Sequence, residues 1–152
     1  AGLTLRALPL SSKAAPYSPH RDHPAPGDNI GLLVTDTARG TTLFYAPGLG
    51  EMTPAVWDAM NGADAVLVDG TFWTDDEMIR LGFSQKTGRS IGHLPQSGAG
   101  GMIEWMAKLP ARTRRHLIHI NNTNPILDED SPQRAELDAQ RIEVCLARDG
   151  AG

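Results

Sequence analysis

The sequence predicts an α/β fold, and three observations support this prediction. Residues 65–68 have the fully apolar sequence AVLV, which is typical of a strand covered on both faces. Helical and strand patterns alternate through the later part of the chain, as in sheets that are covered by helices. The composition, with 40% hydrophobic and 21% charged residues, is that of an ordinary globular protein. We therefore expect one folded unit over residues 1–152.

Strands are predicted to come first along the chain. Apolar residues alternate over residues 3–8 at close to the strand period. Residues 14–29 are rich in proline and have no apolar period, which predicts a loop. Two short β-rich runs, Ile30–Val34 and Thr41–Tyr45, then predict a hairpin.

Capping residues mark the predicted helices. Thr53, followed by Pro54, predicts a helix that runs to about Met60. Thr74 precedes three acidic residues and is expected to cap a second helix, whose positive end those residues would stabilise. The apolar spacing over residues 102–109 predicts a third helix.

The last predicted elements are a strand, a helix and another strand. His116–Ile120 is the first of these, and Ser131 is expected to cap a helix that ends near Gln140. Ile142–Leu146 is the final strand. Cys145 lies in this apolar run, so we expect an inert, buried thiol.

Charge and cysteine content exclude several classes of function. Fourteen basic residues against eighteen acidic ones give a net charge of −4, which argues against a nucleic-acid partner. A single cysteine excludes a disulfide scaffold and a zinc site built from cysteines. No apolar run approaches the roughly 20 residues of a membrane helix, so we expect no membrane insertion and a cytoplasmic location.

Polar residues at predicted strand ends are the candidate site. Asp69 follows the AVLV run and His119 lies at the end of His116–Ile120, while His93 lies on a glycine-flanked loop. Ligands of α/β proteins bind outside the carboxyl ends of strands, so we expect these two ends to lie side by side. One carboxylate and two imidazoles suit zinc or iron. Each residue alone also has a structural interpretation, as a turn former or an ordinary polar group.

Four segments in order resemble a known family. They are GDNIGLL, DGTFWTDDEMIRLG, KTGRSIGHLPQSGAGGMIEW and LIHINNTNPILDEDSPQRAEL. Together these segments resemble the C-terminal half of the pyrroloquinoline quinone (PQQ) biosynthesis protein B family, over about Gly27 to Val144. That family is similar to the metallo-β-lactamases, whose fold is an αββα sandwich with a metal site at the edges of its sheets.

The resemblance implies roles for the candidate residues. Asp69 matches the strand-end aspartate of that fold, and His119 matches its late histidine ligand, which makes both expected metal ligands. His93 matches a Gly-His loop near the place where related tRNA-processing enzymes keep a catalytic histidine, so its expected role is catalytic. The implied cofactor is a metal ion, iron or zinc.

The sequence also departs from the family pattern. The amino-terminal half of the family carries a Cys-rich zinc motif and a further Asp/His ligand segment, and neither occurs here. The segment His20–His23 has the sequence HRDH, half of a metallo-β-lactamase metal motif, but prolines surround it and we expect a solvated loop. We expect residues 1–152 to be a fragment that is inactive alone and needs the missing N-terminal half as its partner.

The resemblance implies a role in PQQ formation, in one of two forms. The first is a metal-dependent oxygenase in which non-haem iron hydroxylates the tyrosine ring of a small-molecule or dipeptide precursor. The second is a carrier that transports PQQ or its precursor towards the periplasm, where Lys86, Arg89 and the glycine-rich loop from Ser97 would bind carboxylates. A hydrolase rests on fold analogy alone and is ranked last.

Overall fold

A single six-stranded sheet organises the protein. The computed structural model describes residues 2–15 and 17–146. The strands lie in the sheet in the same order as in the chain. They are β1 Leu3–Leu10, β2 Asn29–Asp36, β3 Thr41–Ala46, β4 Ala65–Asp69, β5 Arg114–Ile118 and β6 Ile142–Val144. The helices are α1 Pro54–Gly62, α2 Glu77–Arg80, α3 Met102–Ala107 and α4 Pro132–Ala139.

The pairing within the sheet changes once from antiparallel to parallel. β1, β2 and β3 pair antiparallel, whereas β3, β4, β5 and β6 pair parallel. The predicted hairpin turns at Asp36, whose carboxylate accepts hydrogen bonds from the N–H groups of Ala38 and Arg39 and from the Arg39 guanidinium. The Arg39 N–H, then its guanidinium, then the Ala38 N–H hold the pKa of Asp36 below its ordinary value. The α/β prediction is confirmed.

Two of the three helices with a predicted capping residue begin directly after that residue, and the third does not. Thr53 accepts a hydrogen bond from Val56 N at 3.3 Å, and Ser131 accepts one from Arg134 N at 3.1 Å. The prediction for Thr74 is wrong, because α2 begins at Glu77 and has no side-chain cap.

The Glu77 side chain is bound to the rest of the protein rather than exposed on α2. Its carboxylate accepts from Trp73 N at 2.7 Å and from Thr123 Oγ1 at 2.5 Å. Glu77 lies in the first turn of α2, as expected, but its side chain is buried.

Two strands end earlier than predicted. β5 ends at Ile118 because His119 adopts a left-handed backbone conformation with φ 58°. His119 therefore lies just beyond the strand rather than within it. β6 ends at Val144, and Cys145 is exposed, so the prediction of a buried thiol is also wrong.

The two faces of the sheet differ in burial. Helices α1, α3 and α4 cover one face, where the core includes Leu33, Phe44, Val66, Val68, Leu117, Val56, Met60, Met102, Met106 and Leu137. The other face carries Leu3 and Leu5, each 65% exposed, and Leu67 of β4 is only partly buried there. Among the described residues, the prediction that AVLV is covered on both faces is thus wrong. Apolar residues on that face lack a covering layer within this part of the chain.

None of the helices in the described ranges is long and apolar enough to cross a membrane.

Gly70, which directly follows β4, is enclosed by β5. A Cβ at this position would lie 2.5 Å from Ile120 Cδ1 and 2.9 Å from Leu117 Cβ. We expect Gly70→Ala to lower the free energy of unfolding by about 1–3 kcal/mol, the usual cost of overpacking. Gly62→Ala is the matched control, since a Cβ there meets nothing within 4 Å. Urea unfolding of both variants tests this prediction, and equal stability would contradict it.

Candidate metal centre

Asp69, the last residue of β4, is the most buried member of the candidate site. Its side chain is inaccessible to solvent. Oδ2 accepts a hydrogen bond from Leu49 N at 2.8 Å, and Oδ1 accepts bonds from Thr71 N at 3.0 Å and Thr71 Oγ1 at 2.6 Å. A buried carboxylate is stable only with such donors, so the loop that carries Leu49 and the turn that carries Thr71 are both fastened to it.

His93 reaches Asp69 from a separate loop. Gly92, with φ 97°, and a bond from His93 N to Gly88 O at 2.9 Å shape this turn. Nδ1 of His93 lies 2.7 Å from Asp69 Oδ2, and its ring packs edge-on against Phe72 with centroids 5.9 Å apart. With Nδ1–H donating to the carboxylate, Nε2 of His93 keeps a free lone pair.

His119 completes the cluster from the end of β5. The left-handed backbone at this residue ends the strand, and its ring stacks on that of His93 with centroids 5.4 Å apart and an interplanar angle of 29°. Its Nδ1 lies 2.9 Å from Thr71 Oγ1. Because β4 and β5 are parallel neighbours, their carboxyl ends meet at one edge of the sheet, as the sequence predicts.

Thr71 is a central residue of the site that sequence reasoning missed. Its hydroxyl oxygen lies 2.6 Å from Asp69 Oδ1, 3.0 Å from His93 Nδ1 and 2.9 Å from His119 Nδ1. The signal available was its position, two residues after Asp69 in the same turn.

Two buried amides hold the turn that carries Thr71. Gln96 Nε2 donates to Gly70 O at 2.5 Å, and Asn124 Nδ2 donates to the carbonyls of Gly70 and Thr71 at 3.0 and 3.2 Å. Asn121 N adds a bond to Thr71 O at 3.1 Å. These contacts fix the backbone from which the hydroxyl projects.

The three predicted residues form a possible metal site. One ligand atom from each of Asp69, His93 and His119 lies within 4.8 Å of the others. Within residues 2–15 and 17–146 this is the one group of three or more His, Cys, Asp and Glu side chains that meets that criterion. His20 and His23 lie in an exposed, turn-rich loop, as expected for the HRDH segment. Within the described ranges they belong to no such group.

The residues that the carrier hypothesis assigned to carboxylates are dispersed. Lys86 is exposed on a loop. Several N–H groups of the glycine-rich loop already donate hydrogen bonds within the protein. Ser97 N donates to Trp73 O, and Gly100 N donates to Glu104. This loop is therefore held by bonds within the protein.

The fold and the cluster at its sheet edge define the class of protein. A family model described as "Beta-lactamase superfamily domain" matches residues 1–120, which include all three clustered residues. The chain belongs to the β-lactamase superfamily, and the predicted metallo-β-lactamase-like α/β fold is confirmed.

Within that superfamily the chain is similar to proteins named coenzyme PQQ synthesis protein B. The one from Azoarcus sp. (strain BH72) is 71% identical over 143 residues, which cover 94% of this chain and 47% of that protein. The one from Azotobacter vinelandii is 60% identical over 148 residues, or 97% of this chain and 48% of that protein. These matches confirm the resemblance to that family. The chain spans about half the length of the curated relatives it matches.

A solved structure is also similar to this chain. Zn²⁺-bound PqqB from Methylobacterium extorquens superimposes with a TM-score of 0.71 at 40% sequence identity. The match covers 77% of this chain and 41% of that one.

The hydroxyl of Thr71 can be removed with little change of shape. We expect Thr71→Val to lower the free energy of unfolding by about 1–3 kcal/mol, because buried Asp69 Oδ1 loses one of its two donors and keeps only Thr71 N. Thr71→Ser keeps the hydroxyl and loses one methyl group, which costs about 1 kcal/mol or less. Denaturant unfolding compares the two variants, and a serine variant as unstable as the valine variant would refute the central role of the hydroxyl.

Proposed function

We propose that this chain supplies a metal-binding edge to an enzyme of coenzyme PQQ synthesis, one that hydroxylates the ring of the tyrosine-derived PQQ precursor. The observation that carries the proposal is the meeting of Asp69, His93 and His119 at one sheet edge. The names of the matched relatives and the Zn²⁺ in the matched structure support it.

The chemistry of the donors fits a metal ion. Two side chains that bind the same ion through bonds of about 2 Å must lie within about 4 Å of each other, and the cluster is nearly that compact. We assign Asp69 and His119 as ligands. Asp69 and His119 thus supply one carboxylate and one imidazole, which are donors suited to both non-haem iron and zinc.

His93 is proposed as the acid/base group. Its Nδ1–H bond to Asp69 Oδ2 at 2.7 Å orients the ring and stabilises a positive charge on it. Nε2 can then accept the phenol proton of the precursor, which makes the ring more electron-rich for attack by an oxidant. The partial exposure of the His93 side chain, 18%, gives a substrate access to it.

The atoms and electrons of the proposed hydroxylation balance. One atom of O₂ is inserted into a ring C–H bond, the other leaves as water, and a reductant supplies two electrons and two protons. Bound iron would supply the activation of O₂, whereas zinc has no redox chemistry. Reconstitution with iron, but not zinc, is therefore expected to give metal-dependent O₂ consumption. PQQ binding without turnover under both conditions would assign the carrier function instead.

Single substitutions in the complete protein test the roles of the three residues. Asp69→Ala and His119→Ala should each weaken metal binding by more than about 100-fold, because each removes a direct donor. His93→Ala should lower turnover by about 100-fold or more while affecting metal affinity less. Metal content after dialysis and product formation are the measurements.

His20→Ala and His23→Ala are the matched controls, since both side chains lie in an exposed loop. Both should keep full metal content and activity. Full metal content in His119→Ala would refute the assignment, and equal loss of metal in His93→Ala would make His93 a third ligand.

We also propose that the missing N-terminal half of the same domain covers the open face of the sheet. Leu3 and Leu5 on β1 point to this face, together with Ile30 and Tyr45, which are 42% and 37% exposed. Contiguous apolar surface of this kind marks an interaction site. A covering layer would remove the strand face from water.

Leu5→Ser tests this partner. In the 152-residue chain it should leave stability unchanged and reduce binding of an apolar dye, whereas in the complete protein it should cost about 2 kcal/mol. Leu10→Ser is the control, because Leu10 is 1% exposed on the opposite face and its loss should destabilise both proteins. Equal effects of Leu5→Ser in both proteins would argue against the covering half.

A further inference from the structure

A cavity of about 490 Å³ lies beside the metal centre. Its wall includes Gly92, which directly precedes His93, and Gly50, which directly follows Leu49, a donor to Asp69. The loop between β1 and β2 forms one side of the cavity, and a hydrogen bond from Ser12 Oγ to Gly92 O at 3.0 Å holds it there. The volume is in the range of small-molecule sites.

Two cationic side chains line this cavity. Lys13 is half-buried and Arg89 is exposed at its rim. Neither forms an ion pair in the part of the chain that the structure describes. Glu51 is the one acidic residue of the wall, and it too forms no ion pair there. Two cationic side chains against one acidic side chain give this wall a positive potential that would attract an anionic ligand.

Part of the remaining wall is apolar and is formed by Leu10, Pro24, Ala25 and Pro26. Ser11 and Ser12 also line the cavity. A small inorganic anion would leave the apolar surface uncovered, whereas an organic anion with a ring or hydrocarbon body would cover it. Lys86, which the sequence grouped with Arg89, does not line the cavity.

We propose that this cavity binds a carboxylate of the organic substrate, through Lys13 and Arg89, while the reacting part of the same molecule lies at His93. The inference rests on the proposed function, whose site it extends. Arg89 can form a bidentate pair with a carboxylate, and Lys13 adds a second charge-assisted hydrogen bond. These two residues would thereby select an anionic substrate and set its position relative to the metal centre.

Binding of PQQ itself, a quinone with three carboxylates, to the full chain tests the inference. We expect Lys13→Gln and Arg89→Gln each to weaken the affinity, measured by calorimetry, by about tenfold. Glu51→Gln should strengthen it, because the substitution removes the one negative charge of the wall. Lys86→Gln is the matched control and should change the affinity less than twofold. The trimethyl ester of PQQ should bind weakly and equally to all five proteins.

Metal content, measured on the same samples, separates this inference from the proposed function. Normal metal content with equal PQQ affinity in all variants, or with no PQQ binding by the unsubstituted protein, overturns the carboxylate site alone. An equal loss in Lys86→Gln also overturns it, because the effect would then be unspecific surface attraction. If the unsubstituted protein binds no metal, the proposed function is refuted. The PQQ affinities of the variants still show whether the cavity binds a carboxylate.

Discussion

The buried carboxylate of Asp69 is the constraint on which the rest of the site depends. A charge without solvent contact must be matched by donors from the protein, and here they come from the segment after β3, from the turn after β4 and from the loop of His93. Three segments that are distant in sequence are therefore fixed to one pair of oxygen atoms. Because the same group orients His93, the stability of the edge and the geometry of the site have a common origin.

The parallel pairing of β4 and β5 determines which residues can join this network. It brings the end of each strand to one edge, and the left-handed backbone of His119 then turns its imidazole across the edge toward Thr71. Such a conformation is uncommon for residues other than glycine, although histidine adopts it more often than most of them. The chain tolerates this conformation where it gains a contact with the cluster, as is common for strained backbone at functional sites.

Much of this arrangement could be predicted from local patterns. Asp69 and His119 follow apolar runs, and the caps at Thr53 and Ser131 mark helix starts, because these signals lie within a few neighbouring residues. The role of Thr71 could not be predicted in this way, since its three partners come together only when β4, β5 and the His93 loop are assembled.

The errors have the same physical origin. Thr74 is predicted to cap the second helix, but that helix begins at Glu77, whose buried carboxylate accepts from Trp73 N and Thr123 Oγ1 in the folded protein. The AVLV run predicts two covered faces, but burial depends on what packs there, and the described residues supply helices on one side alone.

The strands have the same order in the sheet as in the chain, which affects how the protein can fold during synthesis. Each strand pairs with the strand that precedes it in the sequence, so no strand must wait for a distant partner. As the chain leaves the ribosome, the antiparallel hairpins can form first and serve as a template for β4, β5 and β6 in turn. The candidate metal centre, whose last residue follows β5, could therefore assemble as soon as β4 and β5 have paired, before α4 and β6 are added to the sheet.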